Sequence, residues 1–161
     1  MREFIPRVAS DWTLEEPQAM RRFSRSVLET AILTGVALRA LRALVLSAGI
    51  GDSWVRIVLF AVVAMLILFG VATLHLGNYP VKRWLWRAPA FAGLVVVAEM
   101  TVSALLISVG REYIGSSVAT WGDWPAMLRS AMLTRIPAVC LYSGLLAGTV
   151  QLVRRVAARS S

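Results

Sequence analysis

Residues 88–110 read APAFAGLVVVAEMTVSALLISVG, an apolar run whose one charged side chain is Glu99 at its centre. A helix of about 20 mostly apolar residues crosses the hydrocarbon core of a bilayer, which is about 30 Å thick. Residues 57–74 and 136–153 form two more long apolar runs, and neither contains a charge. Because a chain in lipid must satisfy its backbone hydrogen bonds internally, the three runs predict transmembrane helices.

The composition of the whole chain agrees with a membrane protein. Of its 161 residues, 58% are hydrophobic and 16% are charged, whereas a soluble domain has about 45–50% apolar and about 25% charged residues. A soluble core of this size has no room for the excess apolar side chains. The composition therefore excludes an ordinary soluble domain and a disordered chain.

A fourth apolar segment, residues 27–49, contains Arg39 and Arg42. Each central charge costs about 2.5–3.5 kcal/mol on insertion scales. The segment can span with its arginines facing other helices, or it can lie in the interface as an amphipathic helix. The distribution of basic residues favours a span. Four spans place three segments on one side of the membrane: the N-terminal segment, the loop at 77–88 and the C-terminal tail. These segments carry most of the 17 Lys and Arg residues. The positive-inside rule makes that side cytoplasmic.

We therefore predict an all-α integral membrane protein with four transmembrane helices in a compact bundle and both termini in the cytoplasm. We expect a cytoplasmic N-terminal segment with room for an interfacial helix, a membrane domain and a basic cytoplasmic tail. The expected location is the cytoplasmic (inner) membrane of a bacterium. The boundaries are residues 1–26, 27–153 and 154–161, with spans at 27–49, 55–76, 89–110 and 131–153.

Four ionisable side chains lie within the predicted spans and form a candidate charge cluster: Arg39, Arg42, Glu99 and Arg135. An ionisable residue is costly in hydrocarbon, so it marks a functional or pairing site by default. At about 1.5 Å of rise per residue, all four lie at the centre or in the outer half of their spans. We expect Glu99 to pair with Arg39, with Arg42 and Arg135 as alternatives.

The cluster has two interpretations. In the first, a buried ion pair fixes the order of the helices, and the remaining arginines extend to the outer interface. In the second, the two arginines that lack a carboxylate partner face a cavity and bind an anion, a lipid phosphate or a carboxylate of a partner protein. The sequence leaves both open.

Small residues predict close helix packing at two places. Gly144 and Gly148 form a small-xxx-small face in the fourth span, and Ala31 and Gly35 form a similar notch in the first. Such faces let helix backbones approach each other. We expect packing within the bundle first and oligomerisation second.

A basic and aromatic segment lies between Pro80 and Pro89. We expect it to follow the cytoplasmic interface, where contact with lipid headgroups and a simple turn into the third span are alternatives. Its interfacial residues are Lys82, Arg83, Trp84, Trp86 and Arg87.

The sequence shows no catalytic or metal-binding motif. His75 is the one histidine and Cys140 the one cysteine, so neither belongs to a recognisable ligand set. A membrane enzyme acting on lipid, with Glu99 or His75 as acid or base, lacks a second catalytic partner. We expect no enzyme activity, no cofactor and no metal.

The expected function is that of a non-enzymatic accessory, assembly or scaffold subunit of a larger membrane complex. Its expected partners are membrane lipids and other membrane subunits or copies of itself, and not nucleic acid, because most of the positive charge lies where it sets membrane orientation. The alternative is a small oligomeric transporter, flippase or channel that uses the charge cluster for an anionic or lipid-linked substrate.

Overall fold

The computed structural model describes residues 26–47, 54–115 and 117–159. The expected interfacial helix of the N-terminal segment lies outside these residues. The described chain is mostly helical. Its elements are α1 (Val27–Ser47), α2 (Trp54–Gly77), a 3-10 helix (Val81–Arg83), α3 (Trp84–Ser108), β1 (Tyr113–Ile114), β2 (Ser117–Val118) and α4 (Trp124–Arg159).

Three helical segments of the described chain are long and apolar enough to cross a membrane: Ile57–Gly77, Val81–Ser108 and Trp124–Ala158. They contain the three apolar runs that the sequence singles out, except for the last two residues of the run at 88–110, and α1 is one more helix. α4 begins earlier than the predicted fourth span and continues through most of the basic tail. Pro125 is compatible with the early start, because the first turn of a helix has no partner for the missing N–H.

A short hairpin joins α3 to α4, which an all-α prediction did not include. β1 and β2 pair antiparallel, with Tyr113 opposite Val118 and Ile114 opposite Ser117. Gly115 has a φ of 60° in the turn between them, a conformation in which glycine has no steric penalty. We call the end of the helices that carries this hairpin the hairpin end.

α3 is the central helix, because the two largest interfaces between helices both belong to it. Its largest interface is with α1 and the next largest is with α4. Phe91 and Val95 of α3 are fully buried among Leu38 of α1, Leu68 of α2 and Val139 of α4, which are also buried. α1 and α4 therefore flank α3 on two sides.

Gly35 brings α1 and α3 close together, as the small-residue notch predicts. A Cβ atom built at Gly35 would lie 2.5 Å from the carbonyl oxygen of Val95, 2.7 Å from Cβ of Ala98 and 2.9 Å from the backbone nitrogen of Glu99. These distances are shorter than real Cβ atoms tolerate, so the crossing requires a residue without a side chain.

The contacts along this interface show that α1 and α3 run parallel. Gly35 lies beside Glu99, and Arg39, four residues later, donates a hydrogen bond to Ser103, four residues after Glu99.

The second small-residue face packs differently from the prediction. A Cβ atom built at Gly144 or Gly148 would meet no described atom within 4 Å, and both glycines are exposed. α4 turns the face that carries Val139 and Ser143 towards the other helices, since both are buried. The expectation that Gly144 and Gly148 pack inside the bundle is therefore wrong.

We predict that Gly35→Ala weakens the fold. Overpacking costs about 1–3 kcal/mol, which exceeds the roughly 0.5–1 kcal/mol that alanine gains over glycine in a helix. Gly70→Ala is the matched control, because its Cβ would meet no described atom within 4 Å. Unfolding by SDS in mixed micelles, followed by circular dichroism, measures both. Equal stability of the two variants would contradict the close approach.

Candidate functional site

A partly open cavity of about 420 Å³ lies at the hairpin end between α1 and α4, with α3 behind it. We call it the hairpin cleft. All four residues of the predicted charge cluster line it, and Asp123 adds a fifth charged side chain. Uncharged residues of α4, such as Ala126, Ser130 and Thr134, form most of the opposite wall. Charged side chains of α1, α3 and α4 therefore line the same cavity.

Arg39 forms an ion pair with Glu112, and each side chain is only 2% exposed. Nε of Arg39 donates to Oε2 of Glu112 at 3.2 Å, and Nη2 donates to Oε1 of the same carboxylate. Nη2 also donates to Oγ of buried Ser103 at 2.7 Å. This two-point contact between guanidinium and carboxylate is the strong geometry for such a pair.

The end of α3 delivers Glu112 to this position. The backbone N–H of Gly110 donates to the carbonyl of Ile107, and that of Arg111 donates to the carbonyl of Leu106. With a φ of 64° at Gly110, these bonds form a Schellman motif, which ends a helix and turns the chain. The carbonyl of Glu112 then accepts the N–H of Ala119 at 2.9 Å. The helix end and the hairpin together hold the carboxylate against α1.

Glu99 pairs with Arg135 of α4. Nε and Nη2 of Arg135 donate to the two carboxylate oxygens of Glu99, each at 3.3 Å. Glu99 is buried, while Arg135 is 23% exposed towards the cleft. The preferred pairing of Glu99 with Arg39 is therefore wrong, and the alternative pairing with Arg135 is the one that forms. Arg39 emerges from α1 one helical turn beyond the crossing at Gly35, so it reaches Ser103 and Glu112 instead.

Arg42 differs from the other two arginines of the cleft. It lines the cleft and is half-buried, yet no described residue accepts a hydrogen bond from its guanidinium or forms an ion pair with it. Three arginines face the cleft, and two of them have carboxylate partners. The sequence predicts two arginines without a carboxylate partner, whereas the structure leaves one, Arg42. The difference arises because Glu112, which the sequence analysis did not consider, pairs with Arg39.

Asp123 is the fifth charge of the cleft. Its Oδ2 accepts hydrogen bonds from the backbone N–H of Thr120 at 2.9 Å and from the hydroxyl of Thr120 at 2.7 Å. These two hydrogen bonds, of which the one from the backbone N–H has the larger effect, hold the pKa of Asp123 below its ordinary value. Asp123 is therefore an anion at neutral pH. The cleft thus contains one arginine, Arg42, and one aspartate, Asp123, and neither has an oppositely charged partner among the described residues.

The predicted interfacial residues lie at the opposite end of the helices. Lys82, Arg83 and Trp86 are exposed. The guanidinium of Arg87 lies 3.4 Å from the ring centroid of Tyr79 and 4.8 Å from that of Trp86, so it is held by cation–π contacts.

Trp84 departs from this interfacial pattern. It is buried, and its indole N–H donates to the carbonyl of Tyr79 at 3.0 Å. Because the polar tip of the ring is satisfied inside the fold, Trp84 packs in the core rather than presenting its ring to headgroups.

His75 is fully buried between aromatic rings, with centroids 5.8 Å from Phe91 and 5.4 Å from Tyr79. Cys140 is a half-buried free thiol. Among the described residues, no group of three or more His, Cys, Asp or Glu side chains is placed to hold a metal ion. The two residues therefore add no ligand set to the hairpin cleft.

We predict strong coupling between Arg39 and Glu112. Removing one partner of a buried ion pair costs about 3–5 kcal/mol, so Arg39→Gln and Glu112→Gln each destabilise strongly. The double variant then loses less than the sum of the two, by about 0.5–3 kcal/mol. A cycle of Arg39→Gln with Glu99→Gln is the control and shows the weaker coupling. SDS unfolding measures both cycles, and a stronger coupling in the control would contradict the pairing described here.

Comparisons of the chain with protein-family models, with curated proteins and with solved structures found no match.

Proposed function

We propose that the chain is a non-enzymatic accessory subunit of a larger membrane complex and that it binds a polar group of a partner membrane protein in the hairpin cleft. In this proposal α1 is a fourth span, both termini are cytoplasmic, and the hairpin end faces outward across the cytoplasmic membrane of a bacterium.

The environment of its arginines supports α1 as a span. Arg39 is buried and paired, and Arg42 faces the cleft, so neither guanidinium needs to meet lipid. The exposed face of α1 carries apolar side chains such as Leu33 and Leu44. A helix with its charges inside a bundle and an apolar outer face meets the requirements of a transmembrane helix.

The charges at the two ends support the orientation. The residues from 109 to 123 carry one basic residue, Arg111, against Glu112 and Asp123. The opposite end carries basic residues from two segments and one described acidic residue, Glu29 in the first turn of α1. No Asp or Glu occurs from 78 to 98 or from 136 to 159. Under the positive-inside rule, the basic end is cytoplasmic.

The observation that carries the proposed function is the half-buried Arg42. A buried charge is costly unless it is paired, and a carboxylate is the partner that fits a guanidinium at two points. Asp123, in the same cleft, is bound only to Thr120 among the described residues. A group that satisfies both has to bring an acid for Arg42 and a donor for Asp123. A protein surface supplies such a combination, whereas a simple inorganic anion does not.

The surroundings of the cleft favour a membrane partner. Leu44 of α1 and Met132 and Leu133 of α4 are exposed. A partner helix in contact with these side chains remains in apolar surroundings while its polar side chains reach Arg42 and Asp123. Without a hydrophobic driving force between helices in lipid, such polar contacts and close packing provide the specificity of association.

We predict that a photo-crosslinking residue at Ser130, which lines the cleft, captures one membrane protein in intact membranes. The same residue at Leu59 of α2 captures it weakly, because Leu59 is exposed on another helix. Arg42→Gln lowers the Ser130 crosslink about tenfold or more, since a hydrogen-bonded charged contact contributes roughly 1.5–3 kcal/mol. Arg83→Gln, which removes an exposed cation at the other end, leaves the crosslink unchanged. Isolation of the chain in mild detergent as a free monomer with no Ser130 crosslink would contradict the proposal.

A second candidate function, transport of an anionic substrate, is favoured by the size of the cleft and by the charges in it. Towards the basic end, however, Phe91, Val95, Leu68 and Leu76 are fully buried in the hydrophobic core. Transport would require this packed half to open. Anion flux in liposomes that Arg42→Ala abolishes would support the transporter, and flux equal to that of protein-free liposomes would count against it.

A further inference from the structure

A second cavity lies at the basic end, away from the hairpin cleft. Its volume is about 640 Å³, which is within the range of about 300–1,000 Å³ for ligand sites. Its walls are the start of α3, including Leu85 and Pro89, and the last part of α4, including Gly144 and Ala147. We call it the basic groove. The proposed partner interaction in the hairpin cleft makes no use of it.

Small side chains leave this groove open. A Cβ atom at Gly144 would meet no described atom within 4 Å, and Ala88 and Ala147 add only a methyl group each to the walls. α3 and α4 are in contact at the Glu99–Arg135 pair. Towards the basic end the small residues leave room between the two helices for an extended apolar chain.

The end of the groove is basic. Lys82 and Arg154 both line it and both are exposed, and Gln151 adds an amide between them and the apolar part. No Asp or Glu occurs from 78 to 98 or from 136 to 159. The two cations therefore have no acidic neighbour on either helix that forms the groove.

We propose that the basic groove binds one anionic phospholipid, with the phosphate between Lys82 and Arg154 and one acyl chain along Gly144 and Ala147. An apolar channel that ends in two cations is complementary to a molecule with an apolar tail and a negative head. In the proposed orientation this end lies in the cytoplasmic leaflet, where basic segments meet anionic lipids.

The physics of a bilayer determines how this lipid is selected. An acyl chain gains little by leaving other acyl chains for an apolar groove, because lipid tails are as apolar as leucine. Selection therefore depends on the headgroup. Each basic residue near an anionic headgroup contributes about a 5.4-fold preference, so the two cations together give roughly 30-fold.

The test titrates the full-length chain in mild detergent with phosphatidylglycerol or phosphatidylcholine of identical acyl chains, and native mass spectrometry counts bound lipid. We expect one phosphatidylglycerol to bind with roughly 30-fold preference. The double variant Lys82→Gln/Arg154→Gln loses most of that preference. The double variant Arg83→Gln/Arg155→Gln removes the same charge from neighbouring positions outside the groove and retains the preference for phosphatidylglycerol.

A second pair of variants tests the groove itself. Gly144→Leu fills the groove and removes the bound phosphatidylglycerol, whereas Gly148→Leu, which adds the same side chain outside the groove lining, does not. Neither substitution clashes with a described atom at Cβ. Equal binding of the two lipids, equal losses in the two charge variants, or full binding by Gly144→Leu would each overturn the proposal.

Discussion

The burial of Arg39 is the constraint on which the rest of the arrangement depends. A guanidinium that is 2% exposed must be paired and hydrogen-bonded, because an isolated buried charge is strongly destabilising. Its partner, Glu112, belongs to the connection after α3 and not to a helix. The positive φ of Gly110, the hairpin and the glycine crossing at Gly35 are the local features that bring this carboxylate to α1.

The same constraint divides the molecule into a charged half and an apolar half. The Arg39–Glu112 pair lies between α1 and the end of α3, and the Arg135–Glu99 pair lies between α3 and α4. With both carboxylates engaged, Arg42 stays open to the cleft between the two flanking helices. Towards the basic end, the core is filled by Phe91, Leu76 and their neighbours. A charged recess at one end and a packed core below it suit recognition from one side.

The sequence predicts the helices well because long apolar runs have few other solutions in lipid. It also predicts that Arg39, Arg42, Glu99 and Arg135 converge, since each lies at a similar depth in its helix. It does not predict the pairing. Helical rise gives depth, but the direction of each side chain depends on how the helices cross. Glu112 was not predicted as a partner, because it lies outside the apolar runs in which intramembrane charges are expected. The sequence feature that points to it is its position, two residues after the helix-ending Gly110. The open face at Gly144 was also not predictable, because small residues suit both helix contacts and empty grooves.

The most direct test of this account is the side of the membrane from which each end of α4 is reached. In a Cys140→Ser background, Ser130→Cys places a thiol in the hairpin cleft and Gln151→Cys places one in the basic groove. A membrane-impermeant maleimide is applied to intact spheroplasts and to inverted vesicles. The account predicts that the thiol at position 130 reacts only from outside and the thiol at position 151 only from inside. Reaction of both thiols from the same side, or of the cleft thiol only from inside, would contradict the outward-facing cleft.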